Sequence, residues 1–69
     1  MLERLTARQR EILAMTAEGM TDKEIGMRLG ITRYTVKNTQ TQLRDRLNVQ
    51  GRVQAVVLML REAIQQYKG

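Results

Sequence analysis

The sequence predicts an all-α domain of four short helices, and three observations carry that expectation. Proline is absent, and β-branched residues never alternate in strand-like runs. The pattern Thr-x-x-Gln/Glu precedes two apolar-periodic segments, as "TARQ" from Thr6 and "TDKE" from Thr21, and in that place it is the reciprocal capping signature of a helix start. Each is followed by an apolar series at helical spacing that ends near a glycine, Gly19 and Gly30. Glycine suits the left-handed position that closes a helix.

These signals place the first helix at about 7–18, with Thr6 as its cap, Gln9 reaching back to it and Leu5 positioned for a hydrophobic staple. The second runs over about 22–29 from Thr21 and Glu24. Thr32 caps a third helix at 33–47, where Asn48 suits the left-handed terminator. Gly51 precedes a fourth at 52–66. Spacing turns Leu5, Ile12, Leu13 and Met15 inward from the first helix, Ile25 and Leu29 from the second, and Val36, Leu43 and Leu47 from the third. No linker, low-complexity tract or internal repeat interrupts residues 1–69, so one domain is expected.

Sixty-nine residues lie near the lower limit for a core that stands alone. With no cysteine, no disulfide can reinforce it; with no histidine as well, zinc and haem ligation are not expected, and no cofactor is. Nothing resembles an enzyme's site: there is no phosphate-loop glycine pattern and no convincing carboxylate pair. The longest apolar run, Ala55 to Leu60, falls far short of the ~20 residues of a membrane span, and "MLERLT" has no signal-peptide core. A cytoplasmic location is expected. "MLERL" permits a natural start, and a whole protein and a C-terminal piece both remain open. The net charge of +5 favours a polyanionic partner, nucleic acid or an anionic membrane surface.

The second and third helices are joined by "LGIT", a short glycine-containing turn of helix-turn-helix type. In that arrangement the later helix enters the major groove of DNA. Its sequence here is unusual: "ITRYTVKNTQTQLRDRL" is crowded with Thr, Asn and Gln, weak or middling helix formers, and no acid occurs between Ile25 and Arg44. Opposite the side defined by Val36, Leu43 and Leu47 lie Tyr34, Lys37, Asn38, Thr41 and Asp45, with Arg44 on the flank. Amides, hydroxyls and lysine can read base edges, whereas an acid there would be repelled by phosphates. Tyr34, Lys37, Asn38 and Thr41 are therefore the candidate base contacts. Thr21 and Lys23 at the start of the second helix, Thr32, Arg33 and Thr35 at the start of the third, and Arg44 are candidate phosphate contacts. The competing reading is a solvated polar face.

The fourth helix carries two apolar stripes. Ala55, Val56, Met59 and Ala63 suit the domain's own core. Val53, Val57, Leu60, Ile64 and Tyr67 recur at spacings of four, three, four and three, the seam of a helix pair. A symmetric dimer through this seam would present two reading helices to a palindromic site. Two alternatives stay open: the helix is buried all round, or the stripe serves a helical interaction module with another partner.

The pieces "LTARQREIL", "KEIG", "LGIT", "TVK", "RLNV" and "GRVQAV" resemble, in order and spacing, the LuxR/GerE-type helix-turn-helix domain of bacterial transcription regulators, from Leu5 to about Ala63. The resemblance implies a four-helix fold, a third helix in the major groove and dimerisation through the fourth helix. It assigns groove contacts to Lys37, Asn38 and Thr41 and backbone contacts near Lys23 and Thr35. The chain departs from the family pattern in having Thr39 for His, Asn48 for Gly, Ala7 for Pro, Gln9 for Glu and Gly26 for Ala. The first three helices are also similar to the promoter-reading region of sigma factors, through "RQREIL" and "TVK". The fourth helix, within "VQGRVQAVVLML", is what separates the two readings.

Overall fold

The computed structural model describes residues 2–66, and over them the chain is helical with short connections. A 3-10 helix at Leu2–Arg4, not expected from the sequence, precedes α1 (Ala7–Ala17), α2 (Asp22–Leu29), α3 (Arg33–Leu47) and α4 (Arg52–Gln66). Tyr67, named in the fourth-helix seam, lies outside the described residues. No helix among them is long and apolar enough to cross a membrane.

Each helix start is held by a side chain. Thr6 accepts from the Gln9 backbone N–H at 3.1 Å while Gln9 Oε1 accepts from Thr6 N–H at 2.9 Å; Thr21 and Glu24 form the same box at 3.1 and 2.9 Å. Losing such a cap costs ~1 kcal/mol. At α4 the acceptor is Gln54 Oε1, which takes the Gly51 and Gln50 backbone N–H groups at 2.8 and 3.0 Å. Helix ends use the left-handed region where expected: Gly30 has φ +72° and Asn48 has φ +57°. The first helix stops one residue early, because Glu18 already has cap geometry and Gly19 turns the chain at φ +89°.

Leu5, Ile12, Leu13, Ile25, Val36, Leu43, Leu47 and Ala55 form the buried core, with Met15, Leu29, Val56 and Met59 packed around it. Truncating a fully buried member such as Leu43 to Ala would cost ~2–5 kcal/mol. Two expectations need correction. The staple does not form: its partner position is the exposed Arg10, and Leu5 packs in the core instead. Ala63 is exposed because the last turns of α4 run past the core, and Leu58 takes an inward position that spacing had not assigned.

The third helix is the hub of the fold. It touches each of the other elements, most extensively α2. Its inward side is thereby committed to packing, and its outward side lies at the surface.

Candidate nucleic-acid interface

The turn between α2 and α3 is set by a close backbone approach. Ile31 N–H donates to the Gly26 carbonyl at 2.9 Å. A Cβ at position 26 would lie 2.7 Å from the Ile31 carbonyl oxygen and 3.3 Å from the Thr32 carbonyl carbon. Glycine in a helix interior is unfavourable by ~1 kcal/mol relative to alanine, and here it admits the turn against α2. That contact fixes where α3 begins.

From this start α3 presents the ridge expected from its sequence. Tyr34, Lys37, Asn38 and Thr41 are all exposed, and the opposite side is occupied by buried Val36, Gln40, Leu43 and Leu47. Among the described residues the Tyr34, Lys37 and Asn38 side chains make no intramolecular hydrogen bond, so their donors face solvent. Thr41 differs: its hydroxyl donates to the Lys37 carbonyl at 3.3 Å and accepts from Arg44 Nη2 at 3.4 Å. Such a bond back to the preceding turn is a local alternative that a ligand can displace. Thr39 similarly donates to the Thr35 carbonyl at 3.0 Å.

The flanking helix starts are not equivalent. The first turn of α2 contains Asp22 and Glu24, whereas the first turn of α3 contains no acid. Glu24 accepts from the Thr21 backbone N–H, and that bond, followed by the Thr21 hydroxyl contact, holds its carboxyl below the ordinary 4.5. The chain's own carboxylates thus already occupy the positive end of α2. At α3 the equivalent third position is Thr35, whose hydroxyl lies 3.0 Å from that of Thr32 while its backbone N–H donates to Thr32 at 3.1 Å. Thr32, Arg33 and Thr35 are exposed there and Arg44 is half-buried on the flank. The α3 start therefore offers an anion uncompensated helix-dipole charge, hydroxyls and a guanidinium. At α2 the exposed Thr21 and Lys23 stand beside acids.

A polar network behind the ridge was not anticipated. Gln40 is only 2 % exposed; its Nε2 donates to Thr16 Oγ1 at 2.6 Å and lies 3.4 Å from Asp22 Oδ1. The same Asp22 oxygen accepts from Arg52 Nη2 at 2.9 Å. Since Thr16 donates its own proton to the Ile12 carbonyl at 2.9 Å, both groups facing the amide are acceptors, which fixes its orientation. A signal was available in the sequence: Gln40 lies four after Val36 and three before Leu43, in the middle of the inward stripe.

On α4 the second apolar series is exposed, with Val53 at 74 %, Val57 at 41 %, Leu60 at 50 % and Ile64 at 71 %. The side chains face away from Ala55 and Met59, on one strip along the helix. A helix buried all round is not what the fold contains.

With the geometry established, similarity to known proteins becomes informative. The profile of a family described as "Bacterial regulatory proteins, luxR family" (GerE) matches residues 3–59, which extends into α4, the element that separates this pattern from the sigma pattern. The chain is 51% identical over 57 residues to the "Probable transcriptional regulatory protein SgaR" of Hyphomicrobium methylovorum, covering 83% of this chain and 27% of that protein. It is 51% identical over 55 residues to the "Transcriptional regulatory protein LiaR" of Bacillus subtilis (80% and 26%). It is 42% identical over 57 residues to the "Spore germination protein GerE" of the same species (83% and 77%). The chain thus spans about a quarter of the length of SgaR and LiaR and about three-quarters of GerE. It belongs to the luxR family of bacterial regulatory proteins and forms that family's helix-turn-helix domain.

Proposed function

We propose that this chain is a sequence-specific regulator of transcription that binds double-stranded DNA as a homodimer, with α3 in the major groove. The observation that carries the reading is the exposed ridge of α3 from Tyr34 to Thr41, which holds no acid and is held in place by the Gly26 turn; Asp45 follows a turn further on. Lys37 and Asn38, with donors directed to solvent, are the central base contacts, with Tyr34 and Thr41 at the edges. Lysine can donate to guanine acceptors and asparagine can pair with adenine's N6 and N7. Thr32, Arg33, Thr35 and Arg44 contact phosphates around the start and flank of α3. Thr21 and Lys23 complete the grip from α2, more weakly because Asp22 and Glu24 share that helix end. The site works in the bacterial cytoplasm, on chromosomal DNA.

The exposed α4 strip of Val53, Val57, Leu60 and Ile64 supports the homodimer, which buries it against a copy of itself. The same strip is the one feature that favours a second reading, an interaction module for an unrelated helical partner.

Random-site selection on duplex DNA with the purified chain tests the proposal. Recovery of a palindromic consensus whose half-sites lie about one helical turn apart supports it. Recovery of unrelated sequences, with the chain still self-associating, favours the interaction module.

A further inference from the structure

The DNA-binding dimer reading leaves the Asp22 network unused. Apolar packing of α4 against the core is non-directional, and flexible Met59 belongs to that contact. Packing of Ala55, Val56, Leu58 and Met59 sets how deeply α4 sits on the core, and polar contacts add direction to that packing. Against this background Asp22 Oδ1 accepts from Arg52 Nη2 on α4 at 2.9 Å and faces Gln40 Nε2 on α3 at 3.4 Å. Gln40 is in turn anchored to Thr16 on α1 at 2.6 Å. All four helices meet through three directional contacts. The Asp22 side chain is 18% exposed and that of Arg52 41%, so the ion pair adds little stability. What it supplies is geometry.

We propose that Asp22, Gln40 and Arg52 are positioning residues that lock the reading helix α3 at one angle to α4, and so set the half-site spacing the dimer accepts. This rests on the dimeric DNA-binding reading above. With α4 at the dimer seam, any rotation of α3 relative to α4 is doubled between the two reading helices. One base pair of spacing corresponds to ~3.4 Å along the duplex and about 34° around it, so a modest loosening blurs the choice between adjacent spacings.

The test uses the whole chain, wild type and two variants, Gln40→Met and Arg52→Gln. Gln40→Met leaves the Thr16 hydroxyl donating to Ile12 and orphans no buried donor. Arg52→Gln alters a partly exposed side chain and supplies the result should the first variant fail to fold. Binding is measured on duplexes carrying one half-site, or two half-sites at separations changed one base pair at a time, using the half-site recovered by selection. Wild type is expected to prefer one separation over its neighbours by about tenfold, equivalent to ~1.4 kcal/mol. In the variants the preference is expected to fall to about twofold, while single-half-site affinity stays within about twofold of wild type. Unchanged spacing profiles in the folded variants would overturn the positioning role and leave the dimer reading standing. Loss of single-half-site binding in step with spacing preference would also overturn it, showing general structural damage. Absence of any spacing preference in the wild type would overturn the dimer reading and the inference with it.

Discussion

Gln40 Nε2 lies 2.6 Å from Thr16 Oγ1, a buried hydrogen bond that ties α3 to α1. Its energetics are asymmetric. Replacing Thr16 with valine keeps the volume but leaves the Gln40 amide with only its 3.4 Å contact to Asp22. Thr16→Val is expected to destabilise the fold by ~1–3 kcal/mol, the cost of a buried group left unsatisfied. Denaturant unfolding checks this, and an unchanged midpoint would show that the bond is energetically idle.

Gly26→Ala tests the turn. Alanine favours the helix, but its Cβ would meet the Ile31 carbonyl oxygen at 2.7 Å, and backbone has to shift to relieve it. The expected net effect is a loss of ~1–3 kcal/mol, typical of overpacking, with reduced DNA affinity because the start of α3 moves. A thermal midpoint raised by the substitution would mean that propensity outweighs the close approach.

At the ridge, Lys37→Ala and Asn38→Ala are expected to leave stability unchanged, since both side chains are exposed. Each is expected to relax discrimination at one base position by ~1–3 kcal/mol if the contact is two-pronged. Arg33→Ala is expected to weaken binding evenly across sequences and to make the salt dependence shallower by about one phosphate contact. Lys23→Ala should act in the same manner but more weakly, beside the α2 acids. Titrations at several salt concentrations separate the two classes; a sequence-selective loss in Arg33→Ala would remove it from the phosphate set.

Leu60→Glu places a charge in the middle of the exposed α4 strip. Because Leu60 is half exposed in the single chain, the monomer is expected to fold while self-association and binding to a two-half-site duplex are lost. Sedimentation and gel-shift measurements on the same samples report both. Persistence of the dimer would move its interface elsewhere.

The capping boxes differ in their response to acid. Glu24 has its pKa lowered on folding by the Thr21 backbone N–H. Its contribution is therefore present above the ordinary value of 4.5 and is lost as the pH falls through the lowered folded value. The α1 box uses Gln9 and does not titrate. Glu24→Gln is expected to keep the cap and flatten the acid limb of the stability profile. An unaltered acid limb would show that the cap does not carry this linkage.

Much of this was legible in the residues. Thr6, Thr21, Thr32, Gly30 and Asn48 marked helix boundaries because caps are local chemistry, settled within a few residues. The outward ridge followed from helical periodicity. What escaped was tertiary. Gln40 sits in the inward stripe between Val36 and Leu43, but its partner Thr16 is 24 residues away, and no local rule links them. Ala63 matched the core spacing of α4, yet the core ends before it. The unequal helix starts were written in Glu24 and Thr35, but their meaning depends on which capping bonds form.

The central claim is that the α3 ridge around Lys37 and Asn38 enters a DNA groove. Amide chemical-shift mapping of isotope-labelled protein, titrated with the selected duplex, tests it most directly. The largest changes are expected along α3 from Thr32 to Thr41 and on the Lys37 and Asn38 side chains, with smaller changes at the start of α2. Saturable binding that leaves those signals in place and shifts other surfaces instead would contradict it.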